Sequence, residues 1–355
     1  MNREKTMPSF RPTSLRAQRG FSLAELMVAA TIGLLILAGM STLFVNNTRA
    51  QGEIEKANRQ VENGRFAVQT LSSDLRNAGF YSEFDPTVLD SPAALPDPCA
   101  VTIAAVRAAL PLPVQGIDNA TGAYDCLPGL RADTDVIVVR RTATCITGAA
   151  GCDPLTAGGP FFQAALCANL TQLGSGSTAD YYDLDVTADT LDRLRRDCTT
   201  AAPIRRYLTH VYYLADNDRD GDGIPTLKRA ELGADGEMLA YSTVALVNGI
   251  DDLQFEYGLD TSADGVADRF AADPATGCAD AACALANWRQ VVSVKLSLLS
   301  RNIEVTQGYT DAMQYKLGRD ADGAEIVVGP KGDGYKRHVF QSQVALPNPA
   351  GRRTP

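Results

Sequence analysis

The chain has 355 residues, 45% of them hydrophobic, and a formal net charge of −9. That length and apolar content suffice for one large or two small globular units. The acidity argues against nucleic-acid binding, which needs basic patches to meet phosphates.

The first 20 residues form a basic leader. Arg3, Lys5, Arg11, Arg16 and Arg19 stand against Glu4 alone, a net of +4, so that the −9 of the whole becomes about −13 once the leader is removed. The leader has no apolar run of its own, unlike an ordinary secretory signal, whose apolar region precedes the cut. The apolar run begins after Gly20, and the positive leader is expected to stay in the cytoplasm. As a helix, Phe21–Val45 would reach about 37 Å, enough to cross a bilayer with some tilt.

One carboxylate interrupts this run, in Arg19-Gly20-Phe21-Ser22-Leu23-Ala24-Glu25. An acidic group at the centre of a membrane helix costs about 2.5–3.5 kcal/mol on translocon scales, so it is a functional-site hypothesis that needs a partner. Cleavage between Gly20 and Phe21 would create an α-amine one helical turn from Glu25. An opposite charge at close range offsets the cost of holding a carboxylate in low dielectric. An uncleaved signal anchor is the bland alternative, and it leaves both Glu25 and the Gly-Phe junction unexplained.

This motif resembles the class III signal of type IV prepilins. The resemblance implies that a prepilin peptidase and N-methyltransferase cuts after Gly20 and methylates Phe21. It implies also that Glu25 pairs with the N-terminal amine of a neighbouring subunit during filament assembly. Many major pilins carry a proline in the middle of this segment; here Gly33 and Gly39 are the only weak points of the helix.

The segment 21–46 is thus read as a transmembrane and filament-core helix that continues as an amphipathic half over 47–80. Ile54, Ala57, Val61, Gly64, Val68, Leu71, Leu75 and Ala78 recur at spacings of three and four, one apolar stripe. Glu62, Asn63, Gln69, Ser73 and Arg76 fall on the wetter faces. Asn77-Ala78-Gly79 supplies a C-terminal stop, with Gly79 suited to a left-handed cap. A coiled-coil seam is the alternative; a stripe packed on a sheet of the same chain fits the resemblance better.

Residues 81–200 read as a Cys-rich, loop-rich insertion, with prolines at 86, 92, 96, 98, 111 and 113, a strand over Asp135–Arg140 and a flexible Gly-Ser-Gly-Ser tip at 174–177. All eight cysteines follow the apolar span: Cys99, Cys126, Cys145, Cys152, Cys167, Cys198, Cys278 and Cys283. An even count in a part expected outside the cytoplasm suggests disulfides. Cys145/Cys152 and Cys278/Cys283 each close a short loop, and Cys99/Cys126 with Cys167/Cys198 would complete a sequential set, though spacing leaves the connectivity open. Zinc is disfavoured, because no C-x-x-C pair occurs and only His210 and His338 could assist.

Residues 201–355 form the expected β-rich head. Arg206–Ala215, Leu239–Val247, Asp252–Tyr257, Val291–Leu299 and Val339–Leu346 read as strands, several joined by Asp/Gly turns. Tyr212-Tyr213-Leu214-Ala215, an acidic loop, Ile224–Leu232, Val291–Ser300 and Arg337-His338-Val339-Phe340 together resemble the PilW group of minor pilins. The resemblance leaves the Cys-rich third of the chain uncovered, and Leu346-Pro347-Asn348-Pro349 departs from the arginine-rich ending expected of it. It implies an α+β, type IV pilin-like fold: a long N-terminal α-helix packed on an antiparallel β-sheet head, with the Cys-rich insertion added.

The acidic loop carries Asp216, Asp218, Asp220 and Asp222 with Gly221 and Gly223, an alternation that can converge oxygens on Ca²⁺. Position twelve, which should be glutamate in an EF-hand, is Leu227 or Arg229, and a solvated hairpin loop is the competing reading. Asp260, Asp264 and Asp268, and Asp320 with Asp322, read as turns. Neither histidine lies in a nucleophile or metal motif, and no phosphate-binding glycine loop occurs, so no enzyme is expected and no cofactor is required beyond candidate calcium. Trp288, Tyr207, Tyr212 and Tyr213 read as core or sheet residues.

The expectation is a minor pilin of a type IV pilus, anchored once in the inner membrane with a periplasmic C-terminal head and then placed in the pilus at the cell surface. It would assemble with other minor pilins and the major pilin in a tip or priming complex, with roles in twitching motility and adhesion. A GspJ-like minor pseudopilin of a type II secretion system and a pilus-tip adhesin are the alternatives.

Overall fold

The computed structural model describes residues 20–168 and 178–353; the leader up to Arg19 and the 174–177 tip lie outside the described residues. The described chain divides into two compact units, one up to Ile54 and the other from Glu55 to the C-terminus.

Helix α1 runs unbroken over Leu23–Arg76, through Gly33 and Gly39. Its N-terminal part is long and apolar enough to cross a membrane. Between Phe21 and Val45, Leu23, Leu26, Leu35 and Phe44 are all exposed, and among the described residues none of this segment is buried. A helix apolar all round needs lipid or other helices to cover it. From Gln60 onward α1 belongs to the head and buries Gly64, Ala67, Leu71 and Leu75, the stripe read from the sequence. It stops where expected: Gly79 adopts φ 72°, and its N–H donates to Arg140 O at 2.9 Å.

The head contains a seven-stranded antiparallel sheet built from β1 (Val114–Ala120), β2 (Thr134–Thr142), β3 (Phe161–Ala164), β4 (Tyr182–Asp185), β5 (Ile204–Ala215), β6 (Thr226–Asp235) and β7 (Met238–Asn248). Strand β5 is its hub. One edge pairs with β2; the other pairs first with β3 and then, from His210 onward, with β6. A second, four-stranded sheet has the order β13-β10-β8-β9, with β8 over Ile250–Leu259, β9 over Arg269–Ala271, β10 over Val291–Arg301 and β13 over Arg337–Ala345. A hairpin of β11 (Tyr315–Arg319) and β12 (Glu325–Val328) and three short helices, α2 (Ile103–Ala109), α3 (Ala281–Trp288) and α4 (Pro347–Gly351), complete it. The long N-terminal helix and antiparallel head make the chain α+β with a pilin-like fold.

Period-two alternation sets the layers. On β5, Tyr212 and Leu214 face a core shared by α1, both sheets and α3, where Ala67, Leu71 and Leu75 meet Phe255, Leu296 and Trp288. Val211, Tyr213 and Ala215 face the other way, into a cluster covered by Cys126 and Leu127. A third cluster gathers Tyr81, Phe84, Leu110, Phe162 and Tyr207. The strands of residues 114–185 therefore lie in the same sheet as β5–β7, and the Cys-rich segment is continuous with the head rather than a unit of its own.

Four disulfides use all eight cysteines: Cys99–Cys126, Cys145–Cys152, Cys167–Cys198 and Cys278–Cys283. This is the sequential pairing, and it leaves no thiolate for zinc.

Candidate functional site: the processing motif and the helix–head seam

At the N-terminal motif, Phe21 is exposed and Ser22 precedes the first helical residue. Ser22 N–H donates to Glu25 Oε2 at 2.9 Å, and Glu25 N–H donates to Ser22 Oγ at 3.2 Å. This reciprocal pair is a capping box, which satisfies two helix-terminal donors. It turns the Glu25 carboxylate back toward the Gly20–Phe21 bond, so an amine created there would meet a carboxylate already aimed at the chain's start. Ser22 was missed by the sequence reading, although Ser-x-x-Glu before an apolar run is a legible signal.

The seam between α1 and the head is polar as well as apolar. Gln60 Nε2 donates to Ser300 O at 2.8 Å and to Lys336 O at 3.0 Å, and Ser300 Oγ donates back to Gln60 O. Asn63, assigned to a wet face, donates to Asn248 O. About three turns on, buried Asp74 accepts from Arg141 Nε at 2.6 Å and from the Tyr212 hydroxyl at 2.8 Å, and lies 2.6 Å from His210 Nδ1. Burial pushes the Asp74 carboxyl up, but His210, Arg141 and Tyr212 outweigh it and hold the group well below the usual carboxylate range.

A second ionic cluster fixes the start of β13. Arg337, whose side chain is 2% exposed, contacts Asp251 and Asp311 at 2.7 Å and Asp333 at 2.6 Å. Asp251 also accepts from Arg131, which reaches Asp216 of the acidic loop. At the other end of the chain, Arg352 donates to Gly79 O, Arg353 Nε lies 2.8 Å from Asp260, and Asn348 donates to Ala78 O. Of the basic residues beyond the Pro-Asn-Pro departure, Arg352 thus reaches the end of α1 and Arg353 the residue that follows β8.

The four loop aspartates differ in their surroundings. Asp216 pairs with Arg131, and Asp222 accepts from the N–H groups of Asp218, Arg219 and Ile224. Those bonds, Ile224's foremost, lower the Asp222 carboxyl below its ordinary range. Asp218 accepts from Asn248 at 3.4 Å, and Asp220 is exposed. Among the described residues, no group of three or more Cys, His, Asp or Glu side chains is arranged to hold a metal ion.

A family profile for the prokaryotic N-terminal methylation motif matches residues 15–41, across the Gly20–Phe21 junction and Glu25. A second, described as type IV pilus-assembly protein W, matches residues 211–348, from β5 through β13 into α4. The chain belongs to the PilW-type pilins. No curated protein and no solved structure matches it. As a minor pilin of a type IV pilus it is a structural protein. Its methylation motif implies processing by the prepilin peptidase and assembly with other pilins, and its apolar helix fits an inner-membrane anchor. The Asp74 and Arg337 clusters both draw on the matched region, since His210 adjoins it and Tyr212, Asp251, Asp311, Asp333 and Arg337 lie inside it.

Proposed function

We propose that this pilin acts in a tip or priming complex that initiates the pilus, with the N-methylated Phe21 amine and Glu25 as the pair that docks it to a neighbouring subunit. The observation that carries the reading is the helix from Phe21 to Val45, whose apolar surface has no cover among the described residues and whose single carboxylate is turned to the processing junction. A membrane holds such a helix before assembly and a bundle of equivalent helices holds it afterwards. The large head, from Glu55 to the C-terminus, would repeat poorly along a filament shaft, which favours few copies at one end. The head then lies in the periplasm until it is carried to the cell surface.

An in-frame deletion scored for surface pili, twitching motility and secreted exoproteins tests this. Loss of pili and twitching with normal secretion supports the priming role. Loss of secretion with intact pili overturns it in favour of a GspJ-like pseudopilin, and normal results on both overturn it in favour of an adhesin. Calcium at the 216–222 loop is a separate proposal. Asp222 Oδ2 accepts a single N–H and keeps a lone pair for a cation, so calcium titration of the full chain should give a saturable heat, and its absence would overturn calcium binding.

A further inference from the structure

Strand β13 is an edge strand: it pairs with β10 on one side and, among the described residues, with no strand on the other. Between it and the 65–77 stretch of α1 lies an open groove of about 510 Å³, with Val68 and Phe340 at its floor and Ser342 along the strand side. Three observations point to an occupant. First, an unpaired edge presents a row of free N–H and C=O groups, a template for an added strand. Second, Arg65 and Arg76 line the groove, both exposed, and neither makes an ion pair among the described residues. Third, Ser72, which also lines it, is 7% exposed, and its hydroxyl has no hydrogen-bond partner. A buried polar atom without a partner is costly and calls for one.

We infer that this groove takes an extended acidic segment of a different subunit, added as a strand to the free edge of β13 with a carboxylate at each end. Arg65 and Arg76, eleven positions apart, are separated by roughly 16 Å along the helix. An extended chain covers that distance in about five residue steps. Side chains on one face of a strand recur every second residue, so carboxylates six positions apart, about 20 Å, share a face and bracket that distance within reach of both arginines. A second copy of β13 does not fit the requirement, because Arg337–Ala345 contains no aspartate or glutamate to offer. The inference rests on the reading that the chain assembles with other subunits, and it gives that assembly a surface on the head separate from Glu25.

The test uses the full chain in detergent micelles and a fluorescein-labelled, end-capped peptide, Glu-Thr-Val-Thr-Val-Thr-Glu, whose glutamates and valines share one face, followed by anisotropy. Saturable binding is expected, about tenfold weaker for R65A/R76A, whose substitutions lie on an exposed helix face. Binding should be lost when alternate peptide amides are N-methylated, because methylation removes the ladder donors and leaves the charges. No binding of the parent peptide at millimolar concentration overturns the inference. So does equal binding of the N-methylated peptide, which would indicate charge attraction without strand addition, and so does self-association of the chain that R65A/R76A abolishes. All these readouts are independent of piliation, so a failure here is distinguishable from a failure of the priming role in the deletion strain.

Discussion

His210 Nδ1 and Asp74 Oδ2 lie 2.6 Å apart although 136 residues separate them in the chain. Asp74 is the one acidic side chain that α1 buries, and it faces β5 and β2 at the centre of the seven-stranded sheet. The contact makes a polar lock at the seam where the apolar stripe would suffice for adhesion but not for register, since a helix can slide by a turn along a greasy face while a three-donor carboxylate cannot.

Removing the lock should be costly. Asp74→Ala leaves Arg141 and Tyr212 without their acceptor in a buried setting, and breaking such an arrangement costs about 3–5 kcal/mol. Urea unfolding of the full chain in micelles, followed by tyrosine and tryptophan fluorescence, measures it. A loss below about 1 kcal/mol would mean the cluster is solvated in solution.

Asp260 gives a pH dependence with a definite sign. Its burial raises the carboxyl, but the Gly265 N–H, Arg353 and the Ala263 N–H bring it down to about 2. A folded value below the unfolded one, about 3.9 for aspartate, makes a stabilising contribution that is fully present above the unfolded value. It is lost progressively as pH falls from about 5 toward 2. Asp74, held down in the same sense, adds to the same acid limb. Arg353→Ala should flatten the fall in urea midpoint over that window, and an unchanged slope would remove Arg353 from the account.

Gly64 lies against Phe340 of β13, and a Cβ there would overlap the ring. Alanine gains about 1 kcal/mol of helix propensity, while overpacking costs about 1–3 kcal/mol. The clash falls on the ring itself, so Gly64→Ala should destabilise by about 1 kcal/mol net. In a Phe340→Ala background the same substitution should become stabilising. A double-mutant cycle on denaturation midpoints reads this sign change, and additivity would show that the ring gives way freely.

The disulfides should differ in value. Cys167–Cys198 spans 31 residues and Cys145–Cys152 spans seven. In the chain-entropy account a bond stabilises more when it closes a longer loop, typically by about 2–4 kcal/mol. Cys167→Ser/Cys198→Ser should therefore lower stability more than Cys145→Ser/Cys152→Ser, compared by denaturant midpoint. The opposite order would show that the short loop carries native-state contacts beyond its bond.

The sequence by itself determined what depends on neighbours in the chain. The Gly20–Phe21–Glu25 motif, the extent of α1, its stop at Gly79 and the strands β2, β5, β7, β8, β10 and β13 follow from spacing and from periods of 3.6 and two residues. Those signals are local and survive in a string of letters. Even Ser22, overlooked, was readable there as a capping residue. Strands β1, β3, β4 and β9 were not, being short, irregular or interrupted. The tertiary structure alone decided what depends on residues far apart: which cysteines pair, that residues 114–185 join the sheet of β5, that Asp74 is buried with His210 and Arg141, that Arg337 gathers three aspartates, and that Asp216 of the acidic loop reaches Arg131. Each of these arises because packing two sheets and a helix brings together groups tens to hundreds of residues apart, and in that low-dielectric interior a charge takes its character from its partners.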